Sequence, residues 1–115
     1  MQAPTEPHPI ITAHLDRDEE IREFARATEA VLALTDRRLV VASDSRVALS
    51  VPLRAIRRIQ FDIERNRPAT LVIVPEMSND EPQVLAIPPE EYRAAADALV
   101  SLGLALHEMA SGERP

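Results

Sequence analysis

The chain has 115 residues, of which 45% are apolar and 3% aromatic, and a formal net charge of -6. That length suits one domain with a single, mainly aliphatic core, and the acid excess argues against broad attraction to nucleic acid or anionic lipid. The absence of cysteine excludes disulfides, thiolate metal sites and cysteine nucleophiles together.

Residues 1–9 carry three prolines and no periodicity, so residues 1–15 are expected to form a flexible tail or strap, with Ile10, Ile11 and Leu15 laid on the domain. The folded domain is then 16–112. It begins with the acidic run Asp16, Arg17, Asp18, Glu19 and Glu20, read as a solvated lead-in. The start of the chain lacks the basic flank and apolar run of a signal peptide, and no apolar run approaches the roughly 20 residues that cross a bilayer; a cytoplasmic location is expected. Segment 21–28 is ambiguous. Ile21, Phe24, Ala25 and Thr28 suit one face of a helix, whereas Thr28 and Glu29 can turn a strand directly into 30–34.

The middle of the chain reads as an antiparallel meander. Apolar 30–34 is followed by Thr35, Asp36 and Arg37, whose short polar side chains favour chain reversal. Leu39, Val40 and Val41 suit a pleated, half-buried surface. After a turn at 43–45, Val47, Leu49 and Val51 alternate with Ala48 and Ser50, one face in and one out. Residues 53–59 lead into the clearest alternation, with Ile59, Phe61 and Ile63 on one side and Arg58, Gln60, Asp62 and Glu64 on the other. Pro68 ends that strand by removing a donor and fixing φ. Residues 70–74, TLVIV, form a continuous apolar run expected to be buried on both faces; 76–82 is a polar loop, and 83–87 the last strand.

Pro88, Pro89, Glu90 and Glu91 open a helix, since proline at the first turn forfeits no intrahelical bond and the carboxylates meet the positive end of the dipole. Tyr92, Ala95, Ala96, Leu99, Leu102, Gly103, Leu106 and Met109 then recur as an apolar stripe, and Gly112 is placed to end the helix. Gly103 in mid-helix suggests close approach to a neighbouring element.

About seven antiparallel strands followed by one amphipathic helix give a mainly β fold. The segments LALTDRRLVV (32–41) and VPLRAIRRI (51–59) resemble the turn and strand segments of bacterial pleckstrin-homology (PH)-like and GRAM-type domains. The resemblance spans 16–110 and implies a split barrel of about seven antiparallel strands capped by the C-terminal helix, with a strand rather than a helix at 21–28. It also implies a small module that is not an enzyme and binds lipid head groups, peptides or protein chains, or associates with its own copies. The loop in which eukaryotic relatives hold inositol phosphates corresponds to 27–30 here, short, acidic and with only Arg26 nearby. A protein partner or homo-oligomer is therefore the expected role, and weak binding of an anionic ligand such as a lipid head group or acidic peptide at a membrane surface is the alternative.

For that alternative the candidate site is the arginine set Arg37, Arg38, Arg54, Arg57 and Arg58, which could hold a phosphate or carboxylate by forked hydrogen bonds. The competing reading is that these residues keep strands soluble and pair with acids such as Asp36 and Asp62. Residues 36–67 hold eight arginines against four acids, and residues 1–35 three against seven. Glu19, Glu20, Glu90 and Glu91 read as solvated faces and dipole partners. With Gly103 and Gly112 as the only glycines, there is no phosphate-cradling loop. His8, His14 and His107 lack the spacing of metal ligands, so no catalytic residue, metal site or cofactor is indicated. A nucleic-acid role lacks interleaved aromatics.

Overall fold

The computed structural model describes residues 9–43, 45–65, 67–76 and 81–112. The expected tail at 1–8, with His8, and the middles of the turns at 43–45 and 65–68 and of the loop at 76–82 lie outside the described residues. The chain runs through a short helix α1 (Pro9–His14), strands β1 (Ile21–Arg26), β2 (Val31–Thr35), β3 (Arg38–Ala42) and β4 (Val47–Pro52), and a 3-10 turn (Leu53–Ala55). Strands β5 (Ile56–Asp62), β6 (Ala69–Pro75) and β7 (Gln83–Ile87), a second 3-10 turn (Pro89–Glu91) and helix α2 (Tyr92–Gly112) complete it. The strands form two antiparallel sheets, ordered β1-β2-β3-β4 and β5-β6-β7.

One core lies between the sheets and α2. Leu32, Leu34, Leu39, Val41, Leu49 and Val51 from the larger sheet meet Leu71, Ile73 and Ile87 from the smaller, with Leu53 and the α2 residues Ala95, Ala98 and Leu102. Burying each large aliphatic side chain contributes about 1.5–3 kcal/mol as an upper value.

A second, smaller cluster lies on the opposite face of β2 and β3. Ile11 from α1 is fully buried there with Ala33, Val40 and Ala42, and Phe24, Ile21 and Val47 pack around them. Strands β2 and β3 are thus buried on both faces, where half-burial was expected for 39–41; the cause is that α1 covers what would otherwise be a solvent face. The reverse holds at β6. Its residues alternate between buried and partly exposed, so 70–74 is not buried on both sides: among the described residues no element covers the outer face, and Val84 beside it on β7 is 67% exposed.

Three register shifts explain the remaining local differences. Segment 21–28 contains a strand, and the shift between Ile21 and Glu23 adds a residue that brings Ile21 and Phe24 to one face; their three-residue spacing imitates a helix. In β4 the shift opposite Val41 and Ala42 skips Ala48, so Val47 joins the outer cluster while Leu49 and Val51 stay in the main core. In β5 the shift between Ile56 and Arg58 turns Ile56 inward with Ile59 and Phe61. Arg57, which shares their parity, is left exposed. An extra residue in one strand of a pair re-aims every side chain beyond it. Ile63 lies past the last paired residue, Asp62, and is 60% exposed rather than packed.

Helix α2 packs mainly on β1, with further contacts to β2 and the 3-10 turn at Leu53–Ala55. Its buried arc is centred on Ala95, Ala98 and Leu102, with Leu106 and Met109 beside it; Ala96 and Gly103, expected inside, are exposed. A side chain at Gly103 would meet nothing within 4 Å, so close approach is not why glycine stands there. The helix carries apolar residues on two sides, and periodicity alone does not say which of them docks.

Candidate functional site

The corner between β2 and β3 is built on Thr35. Its Oγ1 accepts hydrogen bonds from the backbone N–H of Arg37 and of Arg38, each at 3.0 Å, and its hydroxyl donates to Glu19 Oε2 at 2.6 Å. This is the threonine-led turn expected from the sequence, with one addition: the acidic lead-in folds over it. Asp16 and Glu19 close their own turn, Glu19 N donating to Asp16 O and Asp16 N to Glu19 Oε1, both at 3.1 Å.

The two arginines of the corner are taken up by that lead-in. Arg37 makes a forked contact with Asp18 at 3.0 and 2.7 Å and also meets Asp16 at 3.4 Å and Asp36 at 3.5 Å. Arg38 donates from Nε to Glu19 Oε2 at 2.9 Å and from its terminal nitrogen to Asp16 Oδ2 at 3.1 Å. Four carboxylates therefore surround two guanidiniums. Burial raises the Glu19 pKa, but the Thr35 hydroxyl, the Asp16 amide and the Arg38 charge outweigh it and hold the carboxyl below its usual 4.5. The Arg37 hydrogen bond likewise lowers Asp18, and Asp18 in turn raises Arg37.

The structure does not gather the five candidate arginines into one pocket. Arg37 and Arg38 line a 340 Å³ recess with Ser50 and Pro52. Leu53 N donates to Arg37 O at 3.1 Å, so exposed Arg54 stands one residue from the corner along the backbone. Arg57 and Arg58 sit on β5 in the other sheet, where Arg58 is opposite Val74. Both are exposed, and among the described residues neither forms an ion pair. Of the two acids named as partners, Asp36 does meet Arg37; Asp62 instead accepts from Gln60 Nε2 at 2.7 Å.

Two acids read as solvated are structural. Glu19 is 9% exposed; it lies 16 residues from Thr35 and 19 from Arg38, so no local spacing announces it, and the contrast between the negative first block and the positive second was the only available signal. Glu91 Oε1 accepts from Arg26 N at 2.9 Å, joining the 3-10 turn that leads into α2 to the end of β1. The 27–30 loop is tight, with Ala27 N donating to Ala30 O and Thr28 N to Ala86 O of β7, both at 2.8 Å. Its backbone thus links the two sheets.

No family model matches the chain, and no curated protein matches it in sequence. Among solved structures it is similar to the crystal structure of a pleckstrin homology domain from Shewanella amazonensis SB2B, with a TM-score of 0.57 and 16% identity over 79% of this chain and 88% of that one. Two antiparallel sheets of four and three strands with one C-terminal helix are a PH-like fold. The fold class expected from 32–41 and 51–59 is the one observed.

Proposed function

We propose that this PH-like chain is a non-catalytic binding module of the cytoplasm that works through protein contacts, with self-association as the leading form. The observation that carries this reading is the pair Val100 and Leu104 on α2, 62% and 60% exposed, on a domain whose corner arginines are internally neutralised. Exposed large apolar side chains on one face are a common mark of protein interfaces. Size-exclusion chromatography with light scattering, and a pulldown with the purified chain, test it. The expected result is a dimer or larger species, or a reproducible partner; a strict monomer without partners overturns it.

A second reading, weak binding of an anionic ligand such as a lipid head group or acidic peptide at the arginine set, is favoured by one observation: Arg57 and Arg58 are adjacent, exposed and on a bulge. Arg37 and Arg38, paired to four acids, are poor candidates. Flotation with anionic vesicles across a salt series tests this reading. Wild type should bind weakly and lose binding with salt, and Arg57→Ala and Arg58→Ala should bind less. Equal behaviour of all three proteins removes it.

A further inference from the structure

We infer that α2 is the interface of a two-fold dimer in which its outer face meets the same face of a second copy, antiparallel, with Val100 on the axis. This rests on the self-association reading above and names the surface. Successive residues of an α-helix turn by about 100°, which puts Arg93, Ala96, Val100, Leu104 and His107 in a stripe opposite the buried arc. Every one of them is exposed.

The stripe is self-complementary when one copy is reversed. A two-fold axis through Val100 pairs each residue with the one equally far on the other side of it. Leu104, 60% exposed, then falls on the small Ala96 of the partner copy, and Ala96 on its Leu104. Asp97 comes against Gly103, where nothing lies within 4 Å of an added side chain, leaving room for close backbone approach. The charges agree with this order. Arg93 near the start of the helix falls on His107 of the partner copy, one residue short of its Glu108, all three exposed, so the long Arg93 side chain can reach that carboxylate and each dimer gains two opposite-charge contacts at the rim of an apolar centre, the arrangement stable interfaces favour. A parallel pairing would instead set Arg93 against Arg93 and Glu108 against Glu108. From Arg93 to Glu108 the contact runs about 22 Å along the helix.

The test uses the full chain, which contains no cysteine. A single Val100→Cys should cross-link to its own copy with a short bis-maleimide far faster than Arg57→Cys. In sedimentation equilibrium, Val100→Glu should weaken dimerisation at least about 30-fold, the effect of removing a central contact. Arg93→Glu should weaken it a few-fold, and adding Glu108→Arg should restore it. All these positions are exposed, and thermal melts of dilute protein confirm that each variant is folded. If the chain dimerises but Val100→Glu leaves the dimer intact, or Val100→Cys cross-links no faster than Arg57→Cys, this surface is wrong while the self-association reading stands. If wild type is monomeric up to roughly 1 mM, both fall.

Discussion

The Thr35 hydroxyl donates to Glu19 Oε2 across 2.6 Å, and the same carboxylate oxygen takes the Arg38 Nε–H at 2.9 Å. One buried oxygen thereby ties the lead-in to the corner that begins β3. Thr35→Val keeps the shape but removes the acceptor for two backbone N–H groups and one donor to a carboxylate. It should destabilise the fold by about 1–3 kcal/mol, read from urea unfolding at neutral pH. Asp18→Asn, at a side chain that is 77% exposed with its partner Arg37 at 40%, should leave the urea midpoint nearly unchanged.

The same contact sets a pH dependence. The Glu19 pKa is lower folded than its ordinary 4.5, so its ionised form favours the native state. That contribution is complete above about pH 4.5 and is lost as pH falls through the depressed native value. Thermal midpoints should therefore decline below about pH 4.5 in wild type. In Glu19→Gln the decline should be shallower, starting from a lower stability at neutral pH. Parallel curves for the two proteins would show that Glu19 is not the titrating group.

Ile11 is fully buried against Ala33, Val40 and Ala42. Ile11→Ala should cost about 2–5 kcal/mol, toward the low end if α1 settles into the space, and removal of residues 1–15 should cost at least as much. Guanidinium unfolding of both forms is the measurement. A truncated chain as stable as the whole would mean that α1 does not cover the sheet in solution.

Gly103 is helical and exposed, and a Cβ added there would meet no other part of the fold within 4 Å. Gly103→Ala should stabilise the monomer by about 0.5–1 kcal/mol through backbone entropy alone. The thermal midpoint of dilute protein reads it, and a decrease would reveal a contact that only glycine permits.

Tyr92 stands edge-on to Phe61, with ring centroids 6.1 Å apart, and its hydroxyl donates to Arg67 O at 3.1 Å. Since that hydrogen bond is exposed, Tyr92→Phe should cost under about 1 kcal/mol. Tyr92→Ala loses the ring packing as well and should cost several times more. Comparing the two variants by urea unfolding separates ring from hydroxyl.

What the sequence determined by itself is what depends on near neighbours along the chain. The turn at Thr35, Asp36 and Arg37, the proline start of the last helix and the order of seven strands before that helix all follow from side chains within a few residues of each other, and that order was enough to reach the PH-like fold. Tertiary structure decided which face of each element is inside. One added residue at Arg22, Ala48 or Arg57 exchanges the two faces of a strand, and no local pattern marks it in advance. The burial of β2 and β3 on both sides waits on α1, the exposure of β6 on the lack of a cover among the described residues, and the rotation of α2 on its contact with β1. The arginine set divides for the same reason. Arg37 and Arg38 meet Asp16, Asp18 and Glu19, which are 19 to 22 residues distant in sequence, and only the folded chain brings those charges together.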